Sequence, residues 1–191
     1  MLRLLIVLKK LTMMKLISLI MDTFVITKIF LLKILWVQVM FKLDKNAVKW
    51  GEGLINKNGP MVIEFDLYYI FLIVGLGLKQ SQPVQNGSVF TKNYPKAYEA
   101  SRHKIAALLL YTDLKASGFE VNNKANVKSA ISETLSSSSY NFISDDAIEK
   151  LNGYANGGYH AIKDVLHSAP PNASIFLNII NDEFLPELFN F

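Results

Sequence analysis

The sequence predicts an all-α protein, a compact bundle of about five or six helices preceded by an apolar and basic N-terminal extension. Three observations predict this class. Apolar residues recur at helical spacing in several segments, residues suited to N-caps precede those segments, and Gly, Pro and Asn follow them. At 191 residues the chain has the length of one domain with a sizeable core.

The first helix is predicted after Asp44, a suitable N-cap, and is expected to end at Asn58-Gly59-Pro60. Residues 61–65 are predicted to be a short extended or connecting segment. Asp66 is then expected to cap a second helix, in which the uncharged run from Leu67 to Leu78 predicts burial on most sides.

Residues 81–95 are predicted to be a loop from their composition. A long helix is expected from Pro95 to Gly118, and its middle, Ile105 to Tyr111, is apolar all round and therefore predicted to be buried. A weaker helix covers 122–135, and a serine-rich linker follows it.

Ser144 is predicted to cap a long helix with two acids in its first turn, which Pro170 and Pro171 end. The last helix begins at 173, and Pro186 is expected to bend or restart it.

The N-terminal extension, residues 1–42, differs from the predicted single helical domain of residues 43–191. It carries seven basic residues against one acid, a charge of +6, whereas the remaining residues carry −2. The extension lacks Gly, Ala, Pro, Glu and Asn. Three interpretations stay open: a mis-set start codon upstream of Met40, a membrane anchor interrupted by lysines, or a genuine structural element.

Three glycines in the long helix predict close contacts. The apolar positions continue past Gly153, Gly157 and Gly158, which favours one unbroken helix although each glycine costs about 1 kcal/mol. Gly158 lies in the apolar band, whereas Gly153 and Gly157 lie on the other side, where the predicted core requires no small residue. They are either a tolerated weak point or kink, or a second close contact with a partner helix, a ligand or another copy of the chain.

This second interpretation defines a candidate partner-contact site, whose residues are Gly153, Tyr154, Gly157 and Gly158. A different segment, 90–104, interleaves aromatic and basic side chains in a pattern that proteins use to hold single-stranded nucleic acids. Its candidate contact residues are Lys92, Tyr94, Lys96, Tyr98, Arg102 and Lys104. The alternative is an aromatic-anchored loop with solvated lysines.

No catalytic, metal-binding or cofactor-binding motif is predicted. The chain has no cysteine, which excludes disulfides, thiolate catalysis and cysteine-ligated zinc. His160, Asp164 and His167 share one helix face, but the two histidines lie about 10.5 Å apart along the axis, too far to bind one ion unaided.

We therefore expect a non-enzymatic helical accessory subunit that binds a protein partner or itself. We expect it to come from a prokaryote and to be located in the cytoplasm. The alternatives are a nucleic-acid accessory protein acting through 90–104 and a membrane-tethered protein acting through 1–42.

Overall fold

Helices joined by short turns make up most of the fold, and a two-stranded sheet is a minor addition. The computed structural model describes residues 39–118 and 123–188. The strands are β1 (Phe41–Asp44) and β2 (Gly87–Thr91); the helices are α1 (Lys45–Gly51), α2 (Glu64–Gly77), α3 (Arg102–Ala116), α4 (Lys124–Thr134), α5 (Asp145–Leu166), α6 (Ala173–Ile179) and the four-residue α7 (Leu185–Leu188). Six of these helices, in the described ranges, have at least seven residues. The predicted helical fold is confirmed.

Side-chain caps fix most of the helix starts. The Asp44 carboxylate accepts a hydrogen bond from the Asn46 N–H at 2.8 Å, and the Ser144 hydroxyl accepts one from the Ala147 N–H at 3.1 Å. Both side chains satisfy amides that have no partner within the helix. Gly118 follows α3 with φ of 70°, a left-handed conformation that suits glycine.

The start of α2 differs from the prediction. The helix begins at Glu64, so Asp66 lies in its first turn and is not the N-cap. Its carboxylate instead accepts hydrogen bonds from the N–H groups of Val62 and Ile63, at 2.6 and 2.8 Å. Asp66 thus accepts from the amides at the helix start although it lies within the first turn. Sequence spacing alone does not distinguish this position from that of an N-cap.

The prediction that residues 81–95 are entirely loop is wrong, because β2 lies within them. β2 pairs antiparallel with β1, with Asp44 opposite Gly87 and Phe41 opposite Thr91. Phe41 and Leu43 of β1 are fully buried. The pairing joins segments more than forty positions apart, so a local pattern does not reveal it.

The crossing of α2 over α5 forms the centre of the fold. Gly75 of α2 lies against the backbone of Tyr154 and Gly158, and Gly158 of α5 lies against the Phe71 carbonyl and the Gly75 amide. A methyl group on either glycine would overlap with backbone atoms of the other helix. The missing side chains therefore let the two backbones touch, and the flanking apolar residues of both helices are buried.

A buried asparagine joins the sheet to this helix pair. The Asn152 side chain donates to the Met40 carbonyl at 2.9 Å, and its oxygen accepts from the Lys42 N–H at 3.1 Å and from the Tyr68 hydroxyl at 3.2 Å. A buried amide is stabilised only when its donor and acceptor atoms are paired, and here both are. The Asn152 amide therefore fixes the position of β1 against α2 and α5.

The C-terminal helix changes its winding before Pro186. After α6 the helix widens into a π-helical turn at Ile180–Phe184 and restarts as α7. This agrees with the predicted bend or restart, since proline cannot donate to the carbonyl one turn earlier.

The described residues from Val39 onward form one compact unit, and β1 runs across position 42, where the sequence places the end of the extension. The interpretations of residues 1–38 lie outside the described residues.

We expect the substitution Gly158→Ala to lower the free energy of unfolding by about 2 kcal/mol or more, because the added methyl must push α2 and α5 apart. Urea denaturation measures this change. The matched control is Gly53→Ala, where a methyl group meets no atom within 4 Å. Equal stability of the two variants would contradict a backbone contact at the crossing.

Candidate functional site

The glycines on the second side of α5 contact the chain's own connecting segment. Residues 80–82 follow α2 and cross α5, and a methyl group on Gly157 would overlap with the Gln80 carbonyl. A methyl group on Gly153 would lie 2.7 Å from the Ser81 hydroxyl oxygen. The Gln82 N–H donates to the Gly153 carbonyl at 3.0 Å, which closes the contact.

The predicted partner-contact residues are therefore covered within the chain. Gly153, Tyr154, Gly157 and Gly158 are all buried, and the close approach that the glycines allow is intramolecular. α5 is buried on both sides from Leu151 to Tyr159. Gly153 and Gly157 lie away from the apolar band of α5 in the sequence, and helical periodicity does not reveal the segment that crosses them.

The Tyr154 hydroxyl belongs to a polar cluster between α3 and α5. Its hydroxyl donates to Asp113 Oδ1 at 3.0 Å, and Lys150 Nζ lies 2.6 Å from Asp113 Oδ2. Burial and the negative charge of Asp113 raise the pKa of Tyr154, so the phenol stays protonated and donates. Asp113 and Lys150 are 37 positions apart, so no local sequence pattern predicts that they pair.

The aromatic side chains of segment 90–104 point into the fold. Tyr94 is only 4% exposed, with its ring centroid 4.9 Å from that of Phe41. The Tyr98 ring lies against Phe65, and its hydroxyl donates to Asp66 Oδ1 at 2.6 Å. These rings pack against the core and are not presented as a surface on which bases could stack.

The basic residues of the same segment do not form one surface with those rings. The Arg102 guanidinium carbon lies 4.0 Å above the centre of the Phe142 ring, a cation–π contact within the fold. Lys92, Lys96 and Lys104 are exposed. The structure thus separates the cations from Tyr94 and Tyr98, which the nucleic-acid interpretation requires together.

The face of α5 that carries the histidines is largely exposed, although His160 is half-buried. Asp164 and His167 are exposed, and His167 ends the helix with φ of 54°. Among the described residues, no group of three or more His, Asp or Glu side chains is close enough to bind a metal ion.

One surface of α3 is exposed although the sequence predicts burial all round. Leu108 is 42% exposed and Tyr111 is 36% exposed, while Ile105 and Leu109 on the other side are fully buried. Lys104, Ala107, Leu108, Tyr111 and Lys115 are all exposed and define what we call the α3 surface.

The α3 surface has an apolar centre and basic ends. Its residues follow the spacing i, i+3, i+4, i+7 and i+11, which places them along one side of a helix. Lys115 Nζ lies 5.8 Å from the centre of the Tyr111 ring. Lys104 and Lys115 could have indicated this exposure from the sequence, because they lie on the same side of the helix before and after the apolar run.

Within the described part of the chain, no helix combines the length and the hydrophobicity needed to cross a bilayer.

We expect stability to decrease as pH rises above about 10, where tyrosines of the unfolded chain ionise. Burial raises the pKa of Tyr94, and burial together with the hydrogen bond to Asp66 and its charge raises the pKa of Tyr98. The folded state thus keeps protons that the unfolded state releases, which favours unfolding at high pH.

Tyr98→Phe should flatten this decrease, measured as free energies of unfolding at about pH 8 and about pH 11. Tyr140→Phe is the control, since Tyr140 is 58% exposed. Identical pH slopes for the two variants would contradict a half-buried Tyr98 that stays protonated in the folded state.

Comparisons of the chain with protein-family models, with curated proteins and with solved structures found no match.

Proposed function

We propose that this protein is a non-enzymatic, cytoplasmic accessory subunit that binds a partner protein through the α3 surface. The observation that supports this is the exposed pair Leu108 and Tyr111, on a helix whose opposite side is in the core. The occupant we propose is an amphipathic helix with apolar residues at its centre and acidic residues at both ends.

Burial of Leu108 and Tyr111 would supply the binding energy. Single exposed leucines are common on protein surfaces, but here Leu108 lies one helical turn from Tyr111, on the same side of α3. A partner helix laid along α3 would remove both side chains from water. Because Leu108 is 42% exposed and Tyr111 is 36% exposed, a partner would bury less than half of each side chain, which contributes about 1 kcal/mol per residue.

A small side chain beside this pair allows a partner helix to approach. Ala107 is exposed, precedes Leu108 directly and lies one turn before Tyr111. Helices pack most closely where one of them presents a short side chain, because neighbouring larger side chains of the other can then enter the gap. The apolar centre of the α3 surface therefore consists of one short side chain, Ala107, beside two larger ones, Leu108 and Tyr111.

Charge favours an acidic partner over a second copy of the chain. In an antiparallel symmetric pair, Lys104 of one copy would lie near Lys115 of the other, and in a parallel pair each lysine would lie near its own equivalent. Both arrangements place like charges together. A partner with acids near both lysines would gain attraction at each end.

The other two functions have less support. A nucleic-acid role loses its stacking surface, because Tyr94 and Tyr98 pack against the core. A membrane tether depends on residues 1–42, of which only 39–42 are described.

The test uses a synthetic helical peptide with leucines at i, i+3, i+4 and i+7 and glutamates at both ends, and a second peptide with lysines in place of the glutamates. We expect the acidic peptide alone to bind, and Leu108→Asp to weaken binding at least about tenfold, as measured by fluorescence anisotropy.

Val165→Asp is the matched control, because Val165 is 55% exposed on a different helix and should leave binding unchanged. Equal binding of the acidic and basic peptides would contradict the proposal. So would a dimer, seen by sedimentation, that Leu108→Asp dissociates, since α3 would then be an interface between copies.

A further inference from the structure

A polar cleft lies between three helices on a side of α3 away from the α3 surface. Its volume is about 590 Å³, within the range of roughly 300–1,000 Å³ that small-molecule sites occupy. α3 contributes Asp113, α4 contributes Ser129 and Glu133, and α5 contributes Lys150 and Tyr154. The proposed partner-binding function uses none of these groups.

On one wall of the cleft, Asp113 of α3 is held by two side chains of α5. Asp113 accepts from the Tyr154 hydroxyl at 3.0 Å through one oxygen and lies 2.6 Å from Lys150 Nζ through the other. The side chain of Asp113 is 20% exposed, so this pair borders the cleft and stays accessible to a small ligand. The carboxylate and the ammonium balance each other in charge.

The facing wall carries a carboxylate without a cation. Glu133 is exposed and accepts from the Ser129 hydroxyl at 3.0 Å, and no lysine, arginine or histidine of the described residues lies within ion-pair distance of it. Among the described residues, the lining therefore holds two carboxylates against one ammonium, an excess of one negative charge. Hydroxyl groups, including that of Ser81, supply further hydrogen-bonding positions.

We propose that this cleft binds a small organic cation, a primary ammonium compound that also carries hydroxyl groups. The ammonium would donate to the Glu133 carboxylate, and the hydroxyl groups would bind among Ser81, Ser129 and Tyr154. Charge-assisted hydrogen bonds of this kind are roughly twice as strong as neutral ones. Because the described residues contain no cluster of three metal ligands, an ammonium fits this lining better than a metal ion does.

The test compares three four-carbon probes on the full-length chain by amide chemical-shift titration. The probes are 4-aminobutan-1-ol, the neutral butane-1,4-diol and the anionic 4-hydroxybutanoate. We expect saturable shifts at the amides of Asn126, Ser129 and Glu133 with the amine alone. Equal shifts with the diol or the anion, or no saturable shifts in the cleft, would overturn the proposal.

Two charge variants separate a binding role from a structural one. Glu133→Gln should weaken amine binding about tenfold, whereas Glu52→Gln, an exposed control in another part of the fold, should not. Lys150→Gln should tighten amine binding, because it removes a repelling ammonium and releases one oxygen of Asp113. Equal affinities for Glu133→Gln and Glu52→Gln would overturn the proposal, and this outcome is independent of the α3 surface.

Discussion

The backbone contact between α2 and α5 is the constraint on which the rest of the structure depends. Gly75 and Gly158 allow each helix to touch backbone atoms of the other, so neither tolerates even a methyl group without displacement. At this distance the apolar side chains on both sides of the crossing interlock and become fully buried. The cost of the glycines in helix propensity is offset by this burial.

Helix α5 is also covered on its other side, by residues 80–83, which follow α2. Gln80 and Ser81 cross α5 at Gly157 and Gly153, and the Asn156 side chain donates to the carbonyls of Gln82 and Pro83 at 3.3 and 3.2 Å. α5 is therefore a central helix contacted on two sides. Its two buried asparagines, Asn152 and Asn156, donate to carbonyls of residues outside the helices and strands.

The middle of α5, residues 151–159, is buried, so the exposed apolar side chains discussed above lie on a helix at the edge of the fold. α3 packs with Ile105 and Leu109 inward, and this leaves Leu108 and Tyr111 exposed on its other side. α4 packs beside α3 and α5 without filling the space between them, and the ion pair of Asp113 with a lysine of α5 bridges that space. The α3 surface and the cleft therefore both result from the way in which α3 and α4 pack against the buried centre of the fold.

The sequence by itself determined the helical class, the caps at Asp44 and Ser144, and the continuity of α5 through its glycines, because these depend on interactions within a few residues. Only the tertiary structure decided that Gly153 and Gly157 are covered by residues 80–82, that Tyr94 and Tyr98 pack against the core, and that Leu108 remains exposed. The physical reason is that burial depends on which distant segment lies opposite a side chain. Neither hydrophobic periodicity nor composition shows which distant segment packs against a given side chain.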